Sequence, residues 1–273
     1  MEITKEALMG TFEERRAMVS QFNLMDDTFF SVVMEDKAAC EYLLSELLGK
    51  KIRVIENKTQ YSIRNIENHS IILDALVEDE NHDLFDVEVQ SDSERRYHER
   101  RLRYYRTAID WSYLEKGAGY KELPELYMIF ISDFDPFGLN ENHYEIKQYV
   151  GDAVMPYDDG VHRLYFNTVV EDGTRLSDLL QYLKHSDADN NNFGALSRAV
   201  NHHKIIKEGV DTMCKAVEEY AAKQRAEGEI KGKLEKAVET VRNMLKKNIP
   251  LETALECAEI DRQTYENYVE ALQ

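Results

Sequence analysis

The segment IILDALVEDENHDLFDVEVQ, at 71–90, most narrowly constrains how this 273-residue chain can fold. Two runs rich in β-forming residues flank a polar loop at 79–83, which is the pattern of a β-hairpin. If the two strands pair symmetrically about this loop, Asp74 lies directly opposite Glu88 on one face of the sheet. Opposed Cβ atoms of an antiparallel pair are about 4.5–5.5 Å apart. The hairpin therefore predicts two neighbouring carboxylates in a largely apolar setting.

Two carboxylates held this close repel each other, and they lose hydration when the sheet is covered. Either one of them takes up a proton or a cation lies between them. Mg²⁺ binds oxygen ligands from one or two carboxylates and keeps several waters, which makes Asp74 and Glu88 candidate ligands. Asp86 and Gln90 lie on the same face as Glu88, one pleat away on either side. A structural or solvated pair of acids fits the same spacing, and this alternative stays open.

The charge of the chain limits its partners. Its net charge is −18, whereas a general polyanion binder is expected to be basic. Any contact with nucleic acid must therefore depend on a local basic patch or on metal ions. The apolar content of 43% allows a substantial core.

The cysteine pattern and the lack of long apolar runs indicate a cytoplasmic protein. Cys40, Cys214 and Cys257 form no C-x-x-C pair, so neither a disulfide framework nor a zinc cluster is expected. The first residues hold no apolar h-region, and no run of about 18 apolar residues occurs in the chain. We therefore expect neither a signal peptide nor contact with a membrane.

Two helices are predicted ahead of the hairpin, after a lead-in at 1–22 that is helical or partly disordered. The first carries apolar residues within 29–33, and Asp26 or Asp27 can cap its start. The second ends at Gly49. A capping role is expected for Asp27, although its carboxylate could instead face the hairpin.

A helix rich in arginine and tyrosine follows the hairpin. Ser91, Asp92 or Ser93 can cap it, and it should run to about Lys116. The stripe that would pack on the sheet consists of Leu102, Tyr105, Ile109 and Tyr113. A second stripe carries Arg96, Arg100 and Arg103, with Arg95, Arg101, Arg106, Tyr97 and Tyr104 around it. Arginine beside aromatic rings suits phosphate and base-stacking contacts, but a solvated helix face fits the same pattern.

The next segments predict the rest of the sheet. Residues 126–131 form a continuous apolar strand, and a strand–helix–strand crossover should place it beside the hairpin. Asp133 and Asp135 follow it, and a turn role is favoured for both over support of the acid pair. Segments 143–152 and 162–170 are typical of additional edge strands.

The last third of the chain is predicted to be helical. A short helix starts near Leu176, a polar linker covers 187–193, and helices fill 195–273. The final two helices have the outline of a helix-turn-helix. Residues 251–273, however, hold a single basic residue, Arg262, so a protein-contact or packing role is favoured over groove reading.

The order of these pieces resembles the PD-(D/E)XK nuclease superfamily. More narrowly, it resembles the PD-(D/E)XK nuclease family transposases, which are related to recombination-promoting nucleases. The matching pieces are MDDTFF at 25–30, LDAL at 73–76, VEVQ at 87–90, RRLRYYRTA at 100–108 and IFISDFDPFG at 129–138. The resemblance implies an α/β fold with a restriction-endonuclease-like core, a mixed sheet flanked by helices, over 23–186. An all-helical C-terminal region over 195–273 would follow it.

The resemblance also implies a set of site residues. Asp74 and Glu88 correspond to metal-binding, catalytic carboxylates, and the backbone carbonyl of Val89 would be a further ligand of Mg²⁺ or Mn²⁺. Asp27 is the candidate for an additional acid from the first helix. Gln90 stands where the superfamily's catalytic lysine usually stands, and this particular family is known for ExQ in place of ExK.

The implied activity is that of a metal-dependent DNA endonuclease acting in recombination or mobile-element biology. Arg96, Arg100, Arg103 and Tyr97 are the predicted DNA-binding residues, and the C-terminal helices are candidates for homo-oligomer formation. The alternative is a catalytically inactive nuclease fold that serves as a DNA-contact or protein-assembly module.

Overall fold

The structure of the protein, a computed structural model, describes residue 8 and residues 10–63, 71–91 and 97–270. Within these ranges the chain forms a six-stranded mixed sheet flanked by helices, followed by a helical C-terminal region. This is the α/β architecture predicted from the sequence. None of the described helices combines the length and the apolar character needed to cross a membrane.

Helices precede, interrupt and follow the strands along the chain. The helices are α1 (Phe12–Val19), α2 (Asp27–Met34), α3 (Lys37–Leu48), α4 (His98–Tyr113), α5 (Arg175–His185), α6 (Gly194–Ile205), α7 (Lys207–Leu245), α8 (Leu251–Cys257) and α9 (Arg262–Glu270). The strands are β1 (Val54–Ile63), β2 (Ile71–Asp79), β3 (Leu84–Gln90), β4 (Leu126–Ser132), β5 (His143–Ile146), β6 (Tyr149–Val150), β7 (Met155–Pro156) and β8 (Val161–Asn167).

The main sheet has the strand order β1-β2-β3-β4-β8-β5. The β2–β3 hairpin has the predicted register, because Glu78 pairs with Leu84. Strands β3, β4 and β8 are parallel to one another, and α4 forms the predicted crossover between β3 and β4. The expectation that 162–170 forms an edge strand is wrong, since β8 lies between β4 and β5. Its Leu164 and Phe166 are buried, and the half-exposed β5 covers that edge.

The hairpin strand β3 lies at the centre of the fold, and all seven of its residues are buried. Helix α4 packs on β1, β2 and β4, and α2 and α3 also contact the sheet. The predicted stripe of α4 enters the core: Leu102 and Ile109 join a cluster that contains Phe130 of β4. Burial of each such side chain is worth about 1.5–3 kcal/mol. The cluster thus fixes α4 over the hairpin.

Helix α4 is shorter than the sequence predicted at both ends. It begins at His98, because Tyr97 has a left-handed φ of 65° and cannot belong to a right-handed helix. It ends at Tyr113, because Leu114 is extended. The predicted caps Asp92 and Ser93 lie outside the described residues.

The chain divides into two compact units, one up to Ala216 and one from Val217, so the division falls within α7. Helix α6 belongs to the first unit because it packs on α3. At its start Gly194 has a φ of 52°, and an added Cβ would lie 2.8 Å from the ring of Tyr42. In the second unit, a small core contains Val241, Ala254 and Leu255.

A buried lysine joins three segments of the first unit. Lys204 of α6 is 4% exposed, and its Nζ donates to the carbonyl oxygens of Ser20 at 3.2 Å and Ser186 at 2.8 Å. The Ser186 hydroxyl in turn accepts from the N–H of Leu24 at 2.8 Å. Burial lowers the pKa of Lys204 to about 8, against the opposing charges of Asp187 and Asp26.

Lys204→Met should change how stability depends on pH. Between about pH 8 and pH 10 the unfolded lysine keeps its proton and the folded one loses it, so wild type gains stability as pH rises. We expect the free energy of unfolding of wild type to increase relative to that of the variant over this range, as measured by urea unfolding. The exposed Lys184→Met is the control. Parallel curves for wild type and Lys204→Met would contradict the assignment.

Candidate functional site

The two predicted carboxylates meet where the hairpin strands stop pairing through their backbones. Oδ2 of Asp74 accepts a hydrogen bond from the N–H of Val89 at 3.0 Å. Oε1 of Glu88 accepts one from the N–H of Asp74, also at 3.0 Å. Each carboxylate therefore binds the backbone of the opposite strand and takes the place of a ladder partner.

The backbone around Asp74 is irregular. The nearest paired residues are Thr59 with Ala75, Tyr61 with Leu73, and Ala75 with Val87. Between them Gln60, which has a left-handed φ of 47°, and Asp74 form no pair in the described β1–β2 ladder. The left-handed φ of Gln60 costs about 1–3 kcal/mol, because Gln60 is not a glycine. Leu73 and Leu76 also join one core cluster, although regular alternation would place them on opposite faces.

A third acid, Asp86, lies on the same face as the pair. It pairs with Leu76 and is 0% exposed. Both of its carboxylate oxygens are buried and accept from no donor group of the described residues, although Asp86 and the Glu88 carboxyl can share a proton in a side-chain hydrogen bond. The sequence placed Asp86 beside Glu88 but assigned it no role. Strand alternation indicated that Asp86 shares a face with Glu88, but it could not show that this face is buried.

Arg101 of α4 approaches the acids from the helix side. Its Nη2 lies 3.4 Å from Oε2 of Glu88, and its guanidinium carbon lies 5.6 Å from the ring centroid of Tyr105. Burial raises the pKa of Tyr105, and the charge of Glu88 raises it further. The sequence counted Arg101 in the arginine cluster but did not select it as a site residue.

The electrostatics of the three acids are dominated by burial. Loss of hydration raises the pKa of Asp74, Asp86 and Glu88 well above the usual values for carboxyl groups. The acids also act on one another: the charge of Glu88 raises the pKa of Asp74, and that of Asp86 raises the pKa of Glu88. Arg101 opposes these shifts in all three groups. Ionisation of all three acids therefore requires more positive charge than one arginine supplies.

Asp27 is exposed and is the first residue of α2. Because the N-cap is the residue before the first helical residue, Asp27 does not cap the helix as expected. Asp26 occupies the N-cap position, but its side chain accepts from the N–H of Asn23 at 2.7 Å rather than from the helix amides. The charge of Asp27 raises the pKa of both Asp74 and Glu88. The structure thus places Asp27 within electrostatic reach of the acid pair.

Gln90 is buried at the end of β3, and its carbonyl oxygen accepts from the N–H of Asp133 at 3.1 Å. The N–H of Val89 points to β2, and its carbonyl faces the same strand edge, as in any extended residue. Asp135 accepts from three turn amides and from the Tyr144 hydroxyl, which confirms its turn role.

The described DNA-binding candidates lie just before α4, at Tyr97, and in its first turns, at Arg100 and Arg103. Arg100 and Arg103 are exposed, and Tyr97 is 65% exposed. The guanidinium carbon of Arg100 lies 5.6 Å from the ring centroid of Tyr97. Arg96 lies outside the described residues.

The donors of the site fit a hard cation. The buried oxygens of Asp86 and the raised pKa values of Asp74 and Glu88 mark a place where a proton or a cation must offset negative charge. Within the described ranges, no three His, Cys, Asp or Glu side chains are arranged to hold one ion. A metal here would therefore be held by two carboxylates, completed by backbone oxygen and water, as is usual for Mg²⁺.

A mixed sheet flanked by helices, with acids on its central hairpin, is the restriction-endonuclease-like arrangement. Residues 28–162 match the family model described as PD-(D/E)XK nuclease family transposase. This region holds the acids, α4 and the main sheet apart from most of β8, and through it the chain belongs to that family. Searches of curated proteins and of solved structures gave no significant match.

Asp86→Asn should stabilise the protein at neutral pH in a chelator-containing buffer. The raised pKa of Asp86 means that folding costs free energy above the unfolded pKa of about 3.9, and the cost grows as pH rises towards the folded pKa. We expect the variant to unfold with a free energy about 1–3 kcal/mol higher at pH 8, and with little difference at pH 4.

Asp135→Asn is the matched control, and its effect on the free energy of unfolding should have the opposite sign. Burial opposes the shift, but hydrogen bonds from the turn lower the pKa of Asp135, so its carboxylate contributes stability that is lost on acidification. The measurement is urea unfolding at both pH values. A destabilised Asp86→Asn at pH 8 would show that this acid has a partner in the native state.

Proposed function

We propose that the protein is a metal-dependent DNA endonuclease that hydrolyses phosphodiester bonds in recombination or mobile-element biology. The family supports nuclease chemistry and DNA as the substrate class. The observation that carries the proposal is the group of three buried acids, Asp74, Asp86 and Glu88, on the central hairpin of this family's fold. Ordinary structural carboxylates avoid such burial unless a cation or a proton compensates them.

In this reaction a water oxygen forms a bond to phosphorus, one ester P–O bond breaks, and the leaving oxygen takes up a proton. A bound Mg²⁺ or Mn²⁺ supplies a Lewis acid that makes water more acidic and offsets charge on the phosphate. Asp74, Glu88 and the carbonyl of Val89 would hold it, with Asp27 adding negative charge nearby. The Gln90 amide can orient a water or a phosphate oxygen, but it carries no charge and accepts no proton.

DNA would approach along the first turns of α4. Arg100, Arg103 and Tyr97 are exposed there, which leaves them accessible to the phosphate backbone and to unstacked bases. Because the whole chain carries a charge of −18, attraction to DNA must come from such a local patch. The sequence prediction that Arg96 also binds DNA concerns a residue outside the described ranges.

A second candidate function is a nuclease fold without catalysis, which contacts DNA or assembles with protein. Glu88 is only 1% exposed and Gln90 replaces the superfamily's lysine, and both observations favour this candidate. We also propose that the C-terminal helices are used for self-association and that the protein is cytoplasmic.

Asp74→Ala should abolish nicking of supercoiled plasmid in Mg²⁺ or Mn²⁺. Loss of one of two metal-holding carboxylates should reduce the rate by at least about a hundredfold. The exposed acid Asp152, replaced by alanine and purified in parallel, is the control and should cut like wild type. Equal trace activity in wild type and Asp74→Ala would indicate a contaminant and favour the inactive candidate.

Arg103→Gln should weaken DNA binding without sequence preference. Loss of one phosphate contact lowers the slope of log affinity against log salt by about 0.9. The measurement is fluorescence anisotropy with a labelled duplex over a salt series, in an Asp74→Ala background that prevents cutting. Arg198→Gln, an exposed arginine on α6, serves as the control. Identical slopes for both variants would place the DNA path elsewhere.

A further inference from the structure

The acid site lacks the positive charge that a lysine at position 90 would bring. The structure points to a replacement on α4. We propose that Arg101, held in place by Glu88 and Tyr105, offsets the negative charge that develops on the scissile phosphate during cleavage and supplies the charge that Gln90 cannot. This inference rests on the proposed endonuclease function.

The position of Arg101 is set by the packing of α4. Leu102 and Ile109 are buried in the core cluster beneath the helix, which fixes the rotation of α4 over the sheet. Arg101 and Tyr105 are four residues apart and share a helix face. That face is turned towards Glu88, whose Oε2 lies 3.4 Å from Nη2 of Arg101.

The side chains of Arg101 and Glu88 differ in their exposure to solvent. The side chain of Glu88 is 2% exposed, whereas that of Arg101 is 27% exposed. The Arg101 side chain thus borders both the buried acids and the solvent, with its Nε buried and its Nη2 close to Glu88. A guanidinium can bind a carboxylate and a phosphate together, because its five donors fan out in one plane.

The other described arginines of α4 have different surroundings. Arg106 contacts Asp110 at 3.3 Å and Asp159 at 3.7 Å. Arg100 lies over the ring of Tyr97, and Arg103 is exposed. Among these four described arginines, Arg101 is the one whose guanidinium contacts a hairpin acid, Glu88.

Tyr105 supports the orientation of Arg101 in two ways. Its ring lies beside the guanidinium, with 5.6 Å between the guanidinium carbon and the ring centroid, so a cation–π attraction restricts the arginine. Burial and the nearby acids also keep its hydroxyl protonated, as its raised pKa shows. The hydroxyl can therefore donate a hydrogen bond and does not add negative charge.

The proposed role predicts opposite changes in metal binding and in cleavage. Arg101 offsets the charge of Asp74, Asp86 and Glu88, so its removal makes the site more negative and should favour a divalent cation. The same removal takes away a charge that stabilises the phosphate as negative charge develops on it. If Arg101 only supported the fold, its removal would weaken metal binding and cleavage together.

The experiment compares Arg101→Gln, Arg101→Lys and the control Arg103→Gln in the full chain, with folding checked by thermal unfolding. Calorimetry measures Mn²⁺ affinity, single-turnover kinetics measure cleavage, and anisotropy measures DNA affinity. We expect Arg101→Gln to bind Mn²⁺ at least about threefold more tightly and to cleave at least about a hundredfold more slowly, with DNA affinity within about threefold of wild type. Arg101→Lys should recover at least about tenfold of the lost rate, because it restores charge without the planar fork.

Arg101→Gln that cleaves within threefold of wild type, or that loses DNA affinity as Arg103→Gln does, would overturn the inference. So would a Mn²⁺ affinity that stays the same or falls. If wild type itself does not cut, the proposed endonuclease function fails, and the metal titration still decides whether Arg101 is the counter-charge of the acids. Glu88→Gln, which should bind Mn²⁺ more weakly, calibrates that titration.

Discussion

The structure of the site depends on two reciprocal hydrogen bonds between side chain and backbone. Asp74 accepts from the N–H of Val89, and Glu88 accepts from the N–H of Asp74. These bonds replace the ladder where β2 and β3 separate, so the carboxylates that can bind a cation also hold the strands together. The irregular backbone at Gln60 accompanies this arrangement. A change at either acid is therefore expected to affect both strand geometry and chemistry.

Burial sets the electrostatic character of these carboxylates. A solvated aspartate and glutamate would remain ionised and largely independent, because water screens them. In the covered face of β3, each acid raises the pKa of another, and Asp86 adds two buried oxygens that accept from no donor group of the described residues. The fold thus holds negative charge that a proton, an arginine or a metal ion must offset. Arg101 contributes one part of that compensation.

The acidic character of the chain and its assignment to a nuclease family are compatible because charge is arranged locally. A net charge of −18 disfavours general attraction to DNA. Helix α4 nevertheless carries exposed Arg100 and Arg103 near its start, and Arg101 contacts Glu88. The core cluster around Leu102 and Ile109 fixes this helix over the hairpin. Its basic residues are therefore placed by hydrophobic packing, while the charge of the whole chain has little influence on them.

The sequence alone determined the hairpin, its register, the parallel strand that follows α4 and the helical C-terminal region, because these depend on local periodicity and turn composition. It also placed Asp74 opposite Glu88. The tertiary structure decided which arginine reaches the acids, since residues 100 to 103 all lie on one turn of α4 and only core packing selects the side that faces the sheet. It also decided that Asp86 is buried and that β8 is an interior strand, because both depend on what covers a face or an edge.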